Sequence, residues 1–237
     1  MTGDGEARRE RLYNAIGQAL AMLDPKEDPE PKLEEIRAHF QSPCYFVEAA
    51  RPLMARVGVT GTDAFYFSMI PALARRARRD RFGARAVLNS MDLMGEYVRT
   101  LYIGTHVERF YLILLDSRGH LVNTIMLQEG TSSSAPFYLK QVLASALEET
   151  GARAMVLCHN HPAGTPWASD EDVACTLRAL MAVSSVGLPL LDHMIVADRT
   201  VVSVRATGRI SAELWLMQDP TSALLRNWTQ KGPGTQI

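Results

Sequence analysis

The apolar residues Ala154-Met155-Val156-Leu157 lead straight into Cys158-His159-Asn160-His161-Pro162, and no other stretch limits the possible folds so tightly. An unbroken apolar run of this length, without alternation, reads as a short buried strand of a sheet covered by helices. Beyond Leu157 the pleat puts His159 and His161 on one side of the strand and Cys158 on the other. Imidazole nitrogen ligates a borderline metal such as zinc, and three protein ligands with one position open is the pattern of a catalytic zinc site. Asp172, eleven residues after His161 and just inside the next helix, offers the third ligand.

The same stretch carries a competing duty. Ser169 and Asp172 stand at the spacing of a capping box, which would steady the helix start by about 1 kcal/mol. A carboxylate on a metal cannot fully serve as a cap, so Asp170 and Glu171 are expected to complement the helix dipole instead. Pro162 fixes the chain after His161, and Gly164 lets the loop turn tightly.

Around this point the pattern alternates between sheet and helix. Strands are expected at Phe110–Asp116, Leu121–Leu127, Ala154–Cys158, Leu190–Val196 and Val201–Arg205, with a hairpin turn at Ser117-Arg118-Gly119-His120 and another turn at Asp198-Arg199-Thr200. Helices are expected at Phe137–Glu149 and from Ser169 to about Val186. Helices against a mixed sheet make an α/β fold of the three-layer kind. The N-terminal part lacks strand signals: helical spacing runs over Arg11–Leu23, Leu33–Phe40, Cys44–Val57 and Asp63–Arg79, with prolines and acidic residues between Asp24 and Pro31.

A net charge of −1 singles out no polyanionic partner. No apolar run approaches the roughly eighteen residues of a membrane span, and the N-terminus is polar, without the apolar core of a secretory signal. Cys44, Cys158 and Cys175 are odd in number and scattered, which suits reduced thiols and a cytoplasmic location.

His159-Asn160-His161-Pro162-Ala163-Gly164, followed by Ser169 and Asp172, resembles the JAMM (MPN-plus) metallopeptidase signature in the version carried by the RadC family. Leu190-Leu191-Asp192-His193-Met194-Ile195-Val196 is similar to that family's Leu-Asp-His-Ile-Ile-Val block, and Gly130-Thr131 to its Gly-Thr turn. The likeness covers roughly residues 86 to 208. It implies a JAMM/MPN (cytidine deaminase-like) domain over 86–210, preceded by a small all-α region, 1–85, with a degenerate helix-hairpin-helix, and followed by a tail, 211–237. The function implied is zinc-dependent hydrolysis of a peptide or isopeptide-like amide in an unidentified peptide or protein substrate. His159, His161 and Asp172 would hold the metal, and Ser169 would hydrogen-bond the reacting oxygen. Glu108 matches the family's Glu-x-Phe position as general base, with Glu129 as its competitor. Asp192 and His193 would either steady a ligating histidine, through its hydrogen bond to Asp192, or brace the sheet as a buried polar pair.

Some residues depart from the family. Ala168 replaces a proline usual before the motif serine, and Leu139-Lys140-Gln141 replaces its Pro-Arg-Glu. Gly58-Val59-Thr60-Gly61 lacks the Gly-x-Gly spacing of a DNA-binding hairpin. The alternative function is a DNA-associated protein that uses Arg75, Arg76, Arg78 and Arg79 on phosphates, with a structural or vestigial metal site.

Overall fold

Proline sets the breaks in the first part of the chain. The helices are α1 (Gly3–Leu23), α2 (Glu30–His39), α3 (Pro43–Glu48), α4 (Arg51–Ala55) and α5 (Gly61–Asp80). The single helix expected over Cys44–Val57 is two, because Ala49 and Ala50 are extended and Pro52 opens α4. Proline lacks the N–H that would continue the helix and disfavours helical backbone just before it. Ser42 caps α3 by accepting a hydrogen bond from Tyr45 N. These helices bury Tyr13, Ile16, Leu20, Leu33, Ile36, Phe46, Met54, Val59 and Phe67 in a core of their own.

The structure is a computed structural model that describes residues 3–40, 42–83, 85–130, 135–183, 186–198, 200–219 and 221–228. It divides into two compact units, Met1–Ala77 with Ile103–His106, and Arg78–Tyr102 with Val107–Ile237. Thr131 of the expected Gly-Thr turn and Arg199 of the expected turn after the fourth strand lie outside the described residues.

The second unit includes a helix beyond those expected, α6 (Met91–Leu101), capped by Ser90 accepting from Leu93 N. The chain continues through β1 (Arg109–Leu115), β2 (Leu121–Glu129), α7 (Ala135–Glu148), β3 (Ala154–Asn160), α8 (Asp170–Val183), β4 (Leu190–Ala197) and β5 (Thr200–Ser203). The five strands form one mixed sheet in the order β2-β1-β3-β4-β5, with β3 and β4 parallel across the α8 crossover and the other neighbours antiparallel. β3 and β4 are buried along their whole length. That is what an unbroken apolar run requires when helices cover both faces.

The two faces have separate cores. On one, Met91, Met94, Tyr97, Val98 and Leu101 of α6 meet Val156, Cys158, Met194 and Val196. On the other, Val142 and Ala146 of α7 and Ala179, Leu180 and Val183 of α8 meet Leu112, Leu114, Met155, Leu157 and Ile195. The expected three-layer α/β architecture is therefore what the chain adopts. Residues beyond 210 belong to it too: α9 (Ala212–Leu216) and α10 (Ala223–Trp228) send Trp215 into one core and Trp228 into the other.

Candidate metal centre

His159, the next-to-last residue of β3, is 1% exposed as a side chain, and His161 follows on the same side where the strand ends. The N-terminus of α8 brings Asp172 to them. Asp172 Oδ1 lies 3.1 Å from His159 Nε2, Asp172 Oδ2 lies 3.4 Å from His161 Nε2, and the two Nε2 atoms are 3.0 Å apart. Among the described residues these three form the group that could hold a metal ion. Hydrogen bonding to Asp172 raises the His161 pKa above its ordinary value, with a small contribution from the nearby Glu108 charge. Burial pushes the Asp172 carboxyl upward, but its contacts with the His159 and His161 rings and the hydrogen bond from Ser169 outweigh it and hold the group well below the usual carboxylate range.

The other ring nitrogens are occupied. His161 Nδ1 is 2.9 Å from Thr165 O, a carbonyl that can only accept, so Nδ1 carries a hydrogen and, in the neutral ring, Nε2 presents a lone pair. His159 Nδ1 is 2.9 Å from His193 Nε2. The ring of Phe110 lies parallel to His159, at an interplanar angle of 7°. Gly164, at φ +77°, donates its N–H to His161 O and closes the loop that follows. A Cβ there would stand 3.0 Å from Asp198 Oδ2.

The capping box is complete. Ser169 N and Oγ both donate to Asp172 Oδ2, at 2.7 and 2.6 Å, and Asp172 N donates back to Ser169 Oγ at 3.1 Å. A carboxylate has two oxygens, and here Oδ2 caps the helix while Oδ1 faces His159. Arg209 adds to the hold, donating to Ala168 O at 2.7 Å and pairing with Asp170.

Glu108 sits half-buried immediately before β1. Asn160, between the two histidines, grips the backbone on both sides of it: Asn160 Nδ2 donates to Val107 O at 3.0 Å, and Arg109 N donates to Asn160 Oδ1 at 2.8 Å. Gly130 N donates to Glu108 O at 2.8 Å. Glu129, its competitor, is bound to Arg109 Nε at 2.6 Å. Asparagine is a poor strand former, so Asn160 inside an apolar strand is the sequence signal of its bonding duty.

Asp192 and His193 need a correction, because adjacent strand residues face opposite ways. His193 reaches His159, whereas Asp192 is fully buried on the other face. There it accepts from Ser203 Oγ at 2.6 Å, Trp228 Nε1 at 3.2 Å and Arg205 N at 3.2 Å. Asp192 braces the sheet and holds the C-terminal helix; the contact to a candidate ligand belongs to His193. Cys158 also points away from the metal group, receiving a hydrogen bond from Tyr102 OH at 3.2 Å, and burial pushes its thiol up to about 12.

The four arginines do not form one solvated patch. Arg75 pairs with Glu48 at 2.5 Å and donates to Ile103 O at 3.0 Å, and Arg79 is partly buried, while Arg76 and Arg78 are exposed. No described helix is long and apolar enough to cross a membrane.

Comparison with known proteins agrees with this geometry. The model of the RadC-like JAB domain matches residues 88–209, just over half of the chain. A UPF0758 protein of Shewanella sp. (strain ANA-3) is 35% identical over 139 residues, covering 59% of this chain and 61% of the relative. A UPF0758 protein of Shewanella amazonensis is 36% identical over 138 residues, covering 58% and 61%. The aligned part of the chain thus spans less than two thirds of these relatives' length. On the match of its residues 88–209, the chain belongs to the family of RadC-like JAB domains.

Proposed function

We propose that this chain is a zinc-dependent hydrolase that cleaves peptide or isopeptide-like amide bonds. The observation that carries the reading is the convergence of two imidazole nitrogens and a carboxylate oxygen, each about 3 Å from the next. A group of this kind is resolved by a cation at its centre, and two nitrogens with one oxygen suit zinc better than the all-oxygen sets of magnesium or calcium. A zinc ion held there would lower the pKa of a water to about 7 and polarise the scissile carbonyl.

The chain's own residues would do the rest. Glu108, held in place by Asn160, accepts the proton of the attacking water and passes it to the leaving amine. Ser169 Oγ–H, now on Asp172 Oδ2, turns to the oxygen on which negative charge develops, a donation that strengthens as the carbonyl becomes tetrahedral. Asp172 keeps the hydrogen bond from Ser169 N meanwhile, so the helix start stays capped. The test is hydrolysis of a panel of peptide and isopeptide substrates by the wild-type chain and by Glu108→Gln. Zinc should be retained and cleavage should fall at least 100-fold. Unchanged cleavage by the variant would remove Glu108 from the mechanism.

A further inference from the structure

We infer that Thr176 is a positioning residue for the metal centre, acting through His193 to set which nitrogen of His159 carries a hydrogen; this rests on the metal-binding reading above. Thr176 lies on α8, one turn after Asp172, and is fully buried. Its Oγ1 is 2.6 Å from Asp172 O and 2.7 Å from His193 Nδ1. A carbonyl oxygen only accepts, so the single hydroxyl hydrogen must go to Asp172 O; otherwise two acceptors would face each other at 2.6 Å. The hydroxyl oxygen then accepts from His193, which places the hydrogen on His193 Nδ1. His193 Nε2 is left as an acceptor, and it takes the hydrogen of His159 Nδ1 across 2.9 Å. His159 Nε2 is thereby left bare, facing Asp172 and His161.

The relay has a second arrangement. If the hydroxyl turned to His193 Nδ1, His193 would carry its hydrogen on Nε2 and His159 on Nε2. That last hydrogen would point at Asp172 Oδ1, 3.1 Å away, and would occupy the lone pair a metal needs. Near Asp172 the two arrangements are otherwise compatible with the geometry; the short contact of Thr176 with Asp172 O selects the one in which His159 is ready to ligate. No titration is involved, because both arrangements are neutral. His193 is fully buried, which disfavours its charged form.

The experiment is long-range nitrogen–proton NMR of the imidazoles in the metal-free full chain, wild type, Thr176→Val and Thr176→Ser, beside zinc titrations of the same proteins. Wild type and Thr176→Ser should show hydrogen on Nδ1 of both His193 and His159. Thr176→Val should shift His159 toward the Nε2–H form and bind zinc about 10- to 100-fold more weakly, with unchanged circular dichroism. Hydrogen on His193 Nε2 in the wild-type chain overturns the inference, and that spectrum decides even if Thr176→Val does not fold. A Thr176→Val spectrum identical to wild type overturns it as well. If wild type shows the stated tautomers yet binds no zinc, the relay stands and the metal reading is what fails.

Discussion

Asn160 shows how one side chain can join two parts of a site. It stands between His159 and His161, so the strand that presents the nitrogens also fixes the backbone around Glu108. Asn160→Ala should leave zinc bound but lower cleavage by about 100-fold, the scale of a displacement of roughly 1 Å. The measurement is zinc content beside kcat, and loss of both together would show that Asn160 merely supports the fold. Ser169→Ala separates two duties of one hydroxyl. The lost cap should cost about 1 kcal/mol in denaturant unfolding, while cleavage should drop about 100- to 1,000-fold; a drop no larger than the stability loss explains would assign Ser169 to capping alone. The histidines and Asp172 were legible in the sequence because their types and spacing already suggested a ligand set. Thr176 was not, since a threonine in a helix acquires meaning only from partners far along the chain, and Asn160 offered only an unusual residue type in a strand, without its partners.

At the scale of elements, the strand-to-helix loop between β3 and α8 decides whether the ligands meet. Gly164 takes a left-handed φ of +77° there, beside Asp198. Gly164→Ala should lower stability by about 1–2 kcal/mol, the cost of that backbone region for a residue with a Cβ. Thermal or denaturant unfolding measures this, and an unchanged midpoint would mean the loop relaxes freely. The strands and the helices α7 and α8 could be read within a few residues, because buried strands show as apolar runs and amphipathic helices by their spacing. The expected helix over Cys44–Val57 differs for a physical reason, since Pro52 splits it, whereas α6 does carry sequence signals, a capping Ser90 and apolar residues at helical spacing.

For the whole molecule, the family match ends at residue 209, but the fold of the second unit does not. The tail expected over 211–237 contributes two fully buried tryptophans, and Trp228 Nε1 is one of the donors to the buried carboxylate of Asp192. Trp228→Ala should therefore cost about 3–5 kcal/mol in unfolding free energy, checked by denaturant titration; a loss below 1 kcal/mol would show that the C-terminal helix is dispensable. Tryptophans in the tail suit packing against the domain, but the particular bond to Asp192 was not legible, because it spans a separation of 36 residues. On the proposed function, β3 and α8 bring His159, His161 and Asp172 together to hold a metal. The most direct measurement is zinc bound per chain, by elemental analysis and titration, for wild type, His159→Ala and Asp172→Asn. About one zinc in wild type, lost in His159→Ala and weakened in Asp172→Asn, is the expected result. A wild-type chain that is folded, carries no metal and takes up none on titration would contradict the account.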